Sequence, residues 1–600
     1  MSNKEVFSVK IGGQAGQGVK SAGLMLAKVA NRSGYHIFTY TEYPSLIRGG
    51  HNVMQINISP RPVLAPFKTT DLLVALNKET VDLHLEELQD GGGIIFEGGD
   101  NSSLPQASKN LNLYPIPLSK LATDTGEKEL LINSVALGAI LAILGGQLST
   151  LQQLIGEEFA SKGNPITLAN NQAAQAGYDY AVKNFAQKRE NILKPLEESG
   201  PASLSRSGQK MIVNGNEAIS LGAIAGGLQF ASIYPMTPIT NILHFLALHQ
   251  DKYGYIYKQP EDEIAAINMA IGASFAGARA MTATSGGGFC LMSEGYGLAA
   301  ITETPLVIIE GMRGGPATGL PTWSGQGDLQ FVLHAHQGDF PRLVLAPGDA
   351  QEAFILTRQA FNLADKYQTP VVILVDKNIC ESDQSFPVFD TAFEVNRGKM
   401  TRETIPGYQR FADNGDGVSL RATPGSGNFF IANSYEHDSL GLTTERINDR
   451  QTQMAKRMTK LESCQREDLP SPQLFGPEEA DITIVSWGSN KGVILEAVKH
   501  FDKVNFLHLT WLSPFLTPEI RKRLEQARYL IDIECNYSGQ LANLIKEKTG
   551  VDILDRMLKV DGRPFFVEEI VEKITSVLEV TANKASQSHL PNGQVENIIN

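Results

Sequence analysis

The stretch Tyr234-Pro235-Met236-Thr237-Pro238-Ile239-Thr240 sits between a short apolar run ending at Ile233 and the segment NILHFLALH. In that segment apolar residues recur at helical spacing. The two prolines fix φ at two points and stiffen the connection. Thr237 directly before Pro238 has the N-cap/N1 pattern of a helix start. A strand that turns sharply into a helix is the repeating unit of an α/β fold. Such a turn offers a hydroxyl and free amides to an anionic ligand, although an ordinary capped helix has the same signature.

Outward from this turn the pattern repeats. Strand-like runs occur at 280–284, 306–310, 342–346 and 371–375, with helices rich in small residues between them. Towards the N-terminus, strands are expected at 6–11, 35–41, 72–76 and 93–96, with an amphipathic helix at 21–31. Alternating strands and helices predict a parallel sheet there too. The apolar, Gly- and Ala-rich run 135–144 is too short to span a bilayer and reads as a buried helix. The expected organisation is α/β and multidomain: a Rossmann-like unit at 1–185, a Pro/Ser/Glu/Gly linker at 186–210 and a second α/β unit at 211–395. An irregular connector with one charged helix near 443–467 occupies 396–472. A last unit at 473–580 opens on the strand and Gly/Ser turn DITIVSWGS, and a polar tail at 581–600 is expected to be disordered.

The whole-chain balance narrows the function. With 600 residues, 42% hydrophobic, and a net charge of −13, the chain has ample core and no basic excess for nucleic acid. No basic segment followed by an apolar stretch opens the chain, so a cytoplasmic protein without membrane association is expected. The four cysteines, Cys290, Cys380, Cys464 and Cys535, are far apart and form no CxxC, so an iron–sulfur cluster in this chain is not expected. His334 and His336, two positions apart, diverge on either a strand or a helix and suit no shared metal. No metal site is therefore expected in this chain.

Gly12-Gly13-Gln14-Ala15-Gly16-Gln17-Gly18 follows the first strand and precedes the first helix. It resembles a dinucleotide loop, and Glu42 ends the next strand where a ribose-binding acid would stand. The spacing, however, is GxxGxG. A nicotinamide or flavin nucleotide, another anion such as a coenzyme A phosphate, and a tight turn needed only for packing all stay open.

Three segments together resemble the 2-oxoacid:ferredoxin oxidoreductases, specifically the large alpha subunit with a fused gamma module. Tyr234, Pro235, Met236, Thr237 and Pro238 resemble the family's YPITP motif, whose threonine contacts the 2-oxoacid. Met236 replaces the usual isoleucine, and Ile239 replaces a small residue and is expected to change pocket shape. The run GMRGGPATGLPTWSGQGDL, 311–329, resembles the family's arginine loop followed by QxDL. There Arg313 follows a strand and can grip a carboxylate with two parallel hydrogen bonds, and Thr322 supplies a second hydroxyl. Trp323 and Ser324 stand where relatives carry more polar residues. In PEDEIAAINMAIG, Glu263 best matches the glutamate that hydrogen-bonds N1′ of thiamine and thereby activates it, with Glu261 and Asp262 competing.

The resemblance implies a Rossmann-like gamma domain, a pyrimidine-type thiamine-diphosphate fold and a transketolase C-terminal-like domain. It also implies CoA-dependent oxidative decarboxylation of a 2-oxoacid to acyl-CoA and CO₂ with reduction of ferredoxin. Fused gamma–alpha chains favour 2-oxoglutarate, with pyruvate or a broad range of 2-oxoacids second. A thiamine diphosphate site normally carries GDG followed by Asn, and Gly415-Asp416-Gly417 with Asn433 imitates it. No strand precedes this GDG, so it is not expected to be the diphosphate site. The diphosphate and Mg²⁺, and a [4Fe–4S] cluster, are expected on a small beta subunit, with coenzyme A as co-substrate.

Overall fold

The structure, a computed structural model, describes residues 5–46, 49–98, 109–125, 131–188, 192–194 and 210–588. Most of the expected linker 186–210 lies outside these residues, as does 589–600. The final helix, Val567–Ser588, runs past Thr581, where a disordered tail was expected to begin.

A seven-stranded sheet holds the Tyr234 turn. Its order is Trp511–Ser513, Leu343–Leu345, Pro370–Asp376, Leu306–Met312, Ala280–Thr284, Phe230–Ser232 and Ile256–Lys258. All but the first of these strands run parallel. The central runs LVIIEGM and PVVILVD are buried along their whole length, as a parallel sheet covered on both faces requires. Only Glu310 and Asp376 interrupt their apolar character.

The first sheet is mixed, which corrects the parallel expectation. Its order is Asn112–Ile116, Leu88–Glu97, Thr70–Ala75, Phe7–Gln14, His51–Ser59, His36–Glu42, Gln384–Pro387 and Lys210–Val213. His51–Ser59 runs antiparallel to both neighbours. It escaped notice because HNVMQINIS shows no clean apolar alternation, yet it is a central strand. The Gln55 amide nitrogen donates to Ser8 Oγ on the neighbouring strand at 2.7 Å and to the Phe67 carbonyl at 2.8 Å. The last two strands of this sheet come from either end of the second unit, so the two units are sewn together through one ladder. The third sheet, Gln473–Phe475, Val504–His508, Ile482–Ser486, Leu530–Glu534 and Asp555–Leu558, is tied to the second through the Trp511–Ser513 strand.

The apolar run near 135–144 forms the buried helix Ile132–Leu144. It packs on Asn164–Phe185 at backbone distance, because a Cβ on Gly138 would lie 1.9 Å from the Ala174 carbonyl oxygen and one on Gly177 would lie 2.0 Å from that of Val135. No helix of the described residues is long and apolar enough to cross a membrane. Because backbone cannot yield as a side-chain tip does, Gly177→Ala should cost about 1–3 kcal/mol or more. Chemical denaturation measures this, and unchanged stability would contradict the helix contact.

Candidate active site

Three neighbouring parallel strands deliver the candidate residues at their carboxyl ends, where α/β sheets bind ligands. Phe230–Ser232 leads into the Tyr234 turn, Ala280–Thr284 through Ser285 into the helix Gly286–Ile301, and Leu306–Met312 into Arg313.

The turn differs from the expected helix cap. The Ile239 amide donates to the Met236 carbonyl at 2.9 Å, the Thr237–Pro238 peptide is cis, and the helix Thr240–Tyr253 starts only afterwards. Thr237 is therefore a half-buried turn residue that caps no helix. Ile239 does not shape the pocket as expected: it is fully buried in the core, its Cγ2 only 2.5 Å from where a Cβ on Gly311 would stand. Gly311 thus lets the turn lie directly on the neighbouring strand.

That packing brings Arg313 to Thr237. The Arg313 guanidinium donates from Nη1 to the Thr237 carbonyl at 2.9 Å. One end of the fork is fixed while further N–H donors remain for a ligand. Behind Arg313 lies a buried acid pair. Burial first, and the neighbouring Asp328 second, push the Glu310 carboxyl well above the usual range, and burial also raises Asp328. Burial lowers Arg313 while Asp328 and Glu310 oppose that shift. Thr322 is 6% exposed and its hydroxyl has no partner.

The three acids near 261–263 separate cleanly. Glu261 is exposed. Asp262 is the N-cap of the helix Glu263–Phe275 and accepts from the Ala265 amide at 2.8 Å. Glu263 is 4% exposed, with its Oε1 unpartnered. It leans on the first turn of the helix Gly286–Ile301, since a Cβ on Gly288 would lie 2.8 Å from Oε1. An orphaned, buried carboxyl oxygen fits an acid that awaits a ligand's hydrogen-bonding atom, as N1′ of the thiamine aminopyrimidine would supply.

Across from the turn stands the first sheet. A solvent-open cleft of about 850 Å³ has Val19, Lys20, Thr41 and Asn52 on one wall and Thr237 and Asn241 on the other. The strand Phe7–Gln14 absorbs Gly12 and Gly13, so the loop proper is a tight turn in which the Gln17 amide donates to the Gln14 carbonyl at 3.0 Å. Gly18, at φ 72°, ends that turn and begins the helix Val19–Arg32 with no side-chain cap. The hydroxyl of Thr41 is buried and unpartnered beside it. Lys20, Thr41 and Asn52 carry no sequence signal, because only the fold sets them opposite Thr237. Glu42 is engaged by the Arg563 guanidinium at 3.1 Å and by the Tyr40 hydroxyl at 2.9 Å.

The GDG imitation is structural. Asp416 accepts from Lys399 at 2.5 Å and from the Val418 amide at 3.0 Å, and Gly417 lies against the backbone of the charged helix Ile447–Glu467. Among the described residues no group of three or more His, Cys, Asp or Glu could hold a metal ion. His334 is exposed, with Nδ1 at 2.8 Å from the Gln330 carbonyl of its own helix.

Residues 221–456 match the family model described as pyruvate flavodoxin/ferredoxin oxidoreductase, thiamine diphosphate-binding, and residues 8–180 match that of pyruvate ferredoxin/flavodoxin oxidoreductase. A 2-oxoacid:ferredoxin oxidoreductase subunit alpha of Sulfolobus sp is 32% identical over 95% of this chain and 96% of that protein. A 2-oxoglutarate oxidoreductase subunit KorA of Mycobacterium tuberculosis is 29% identical over 95% of this chain and 91% of its own length. The solved 2-oxoglutarate:ferredoxin oxidoreductase of Magnetococcus marinus, with 2-oxoglutarate, coenzyme A and succinyl-CoA bound, is 30% identical. It superposes with a TM-score of 0.87 over 96% of this chain and all of that one. The contact between Arg313 and Thr237, the open carboxylate of Glu263 and this full-length similarity place the chain among the alpha subunits of the 2-oxoacid:ferredoxin oxidoreductases.

Proposed function

We propose that this chain grips the 2-oxoacid and activates thiamine diphosphate in an enzyme that converts 2-oxoglutarate, coenzyme A and oxidised ferredoxin to succinyl-CoA, CO₂ and reduced ferredoxin. The observation that carries it is the Arg313–Thr237 contact at the carboxyl ends of strands in the sheet, together with the unpartnered Glu263 carboxyl packed on Gly288 of the helix that follows the strand between them. Thiamine diphosphate, when bound, supplies a nucleophilic carbon and an electron sink for decarboxylation. Glu263 would hydrogen-bond N1′ of its aminopyrimidine and hold there the proton that favours the reactive imino form. The free N–H groups of Arg313 hold the carboxylate of the 2-oxoacid, and the hydroxyls of Thr237 and Thr322 orient the keto acid over the cofactor.

The diphosphate end, Mg²⁺ and a [4Fe–4S] cluster belong to a small beta subunit, which passes electrons to ferredoxin. Nothing in the described residues resembles a diphosphate clamp, and the four cysteines stand apart, three of them buried. Coenzyme A enters by the cleft between the first sheet and the Tyr234 turn. There the uncapped helix at Val19, the Lys20 ammonium and the Thr41 hydroxyl suit its anionic and polar groups. A nicotinamide or flavin nucleotide fits less well. The strand after the first helix, His36–Glu42, does not pair with Phe7–Gln14 because antiparallel His51–Ser59 lies between them, and Glu42 is spent on Arg563. Pyruvate, or a broad range of 2-oxoacids, is the second reading, favoured by the pyruvate oxidoreductase family models. The proposed location is the cytoplasm.

The chain purified with its partner should reduce viologen in the presence of coenzyme A and 2-oxoglutarate, and less well with pyruvate. No reduction with any 2-oxoacid would overturn the proposal, and a preference for pyruvate would install the second reading. Arg313→Ala removes a charge-assisted contact of about 1.5–3 kcal/mol, so KM for the 2-oxoacid should rise roughly ten- to hundredfold while kcat changes little. An unchanged KM would remove its assigned role. Glu263→Gln keeps shape but loses the charge, and kcat should fall about a hundredfold or more with little change in the 2-oxoacid KM. Full turnover in that variant would show that another group activates the cofactor.

A further inference from the structure

The loop that carries Arg313 and Thr322 is glycine-rich and leaves its sheet entirely, so something outside the sheet has to hold it. Residues 315–320 of this loop are exposed, and the chain returns to a buried path at Thr322 and then at Gln326. Gln326 is fully buried, and each of its polar atoms is used. Its backbone amide donates to the Cys535 carbonyl at 2.7 Å, and its carbonyl accepts from Asn536 Nδ2 at 3.1 Å. Its side-chain amide donates to the Trp487 carbonyl at 3.0 Å, while Oε1 accepts from Asn490 Nδ2 and from the Cys535 amide, both at 2.9 Å. Trp487 and Cys535 directly follow the adjacent parallel strands Ile482–Ser486 and Leu530–Glu534. Gln326 therefore plugs the carboxyl ends of two strands in the C-terminal sheet, a place where such sheets more often present a ligand site.

The link from this plug to Arg313 is one residue long. Gly325 folds back onto the Arg313 backbone so closely that a Cβ there would lie 3.3 Å from both its carbonyl carbon and oxygen. On the other side, the Ser324 amide donates to the Gly562 carbonyl at 2.8 Å, and the Arg563 guanidinium lies 4.7 Å from the Trp323 ring centre. Besides the loop's own hydrogen bonds from the Trp323 amide to the Leu320 carbonyl and from the Leu320 amide to the Gly314 carbonyl, the returning half is held by the C-terminal segment and by its packing on Arg313.

We infer that Gln326 is a positioning residue for 2-oxoacid recognition, through which the C-terminal domain latches the arginine loop and sets where Arg313 meets the substrate carboxylate. The inference rests on the substrate role of Arg313 proposed above. Gln326 touches neither substrate nor cofactor; it acts through Gly325 on Arg313. A methionine there matches the length of glutamine but offers no amide, so Trp487, Asn490 and Cys535 lose their partner.

The test uses the complete enzyme with its partner subunit. Gln326→Met should raise the KM for the 2-oxoacid about tenfold, leaving the KM for coenzyme A and the content of bound thiamine diphosphate unchanged. Amide hydrogen exchange should rise in residues 313–325 and not in the strands of the second sheet. Gly325→Ala, which presses on the Arg313 backbone without touching the C-terminal sheet, should give the same selective rise and decides the matter if Gln326→Met does not fold. An unchanged 2-oxoacid KM in the variants that fold, or an equal loss for both substrates and for the cofactor, would overturn the latch. Arg313→Ala separates the two levels. If it leaves the 2-oxoacid KM unchanged, the substrate role itself fails; if it raises KM while the Gln326 and Gly325 variants do not, only the latch fails.

Discussion

A guanidinium bonded to the carbonyl of a tight turn, Arg313 to Thr237, holds together what the sheet alone would keep apart. The two residues follow strands separated by a third, Ala280–Thr284. They meet because Gly311 lacks a side chain and the turn can lie across it, with Ile239 driven into the core. Behind the guanidinium lies the buried Glu310 carboxyl, pushed well above the usual carboxylate range first by burial and then by Asp328. An ionised acid there would satisfy Arg313 internally and weaken its attraction for ligand.

Built on that contact, the site is a half-site in a physical sense. Glu263 has a buried carboxylate oxygen with nothing to bind, and Thr322 a buried hydroxyl in the same condition. Buried polar atoms left unpaired cost free energy, so their persistence points to partners that arrive with a ligand. The chain brings three folded units to bear on one place. The second sheet carries Arg313 and Thr237, the first sheet supplies the opposite wall of the cleft, and the C-terminal sheet holds the arginine loop from outside.

What was legible in the sequence follows from how each feature is encoded. The strands of the second sheet are continuous apolar runs, and their burial on both faces leaves no ambiguity. His51–Ser59 is just as central but hides behind Gln55 and Asn57, whose amide nitrogens find acceptors in Ser8 and Ala65 that only the fold brings near. Thr237 stood out as a candidate site residue from its motif, whereas its conformation did not: a threonine before a proline reads as a helix cap, and the turn between Met236 and Ile239 intervenes. Arg313 and Thr322 stand out in a glycine-rich loop after a strand. Gln326 gives no local signal, because the side chains and carbonyls it binds lie 161 to 210 residues further along the chain.

The central claim is that Arg313, Thr237 and Glu263 face one bound cofactor and one substrate. A structure of the chain with its partner subunit, thiamine diphosphate and 2-oxoglutarate tests it most directly. The account requires the Glu263 carboxylate at hydrogen-bond distance from the aminopyrimidine N1′ and the Arg313 guanidinium on a substrate carboxylate, with the Thr237 carbonyl still bonded to Arg313. An aminopyrimidine held elsewhere, or a substrate whose carboxylates never approach Arg313, would contradict it.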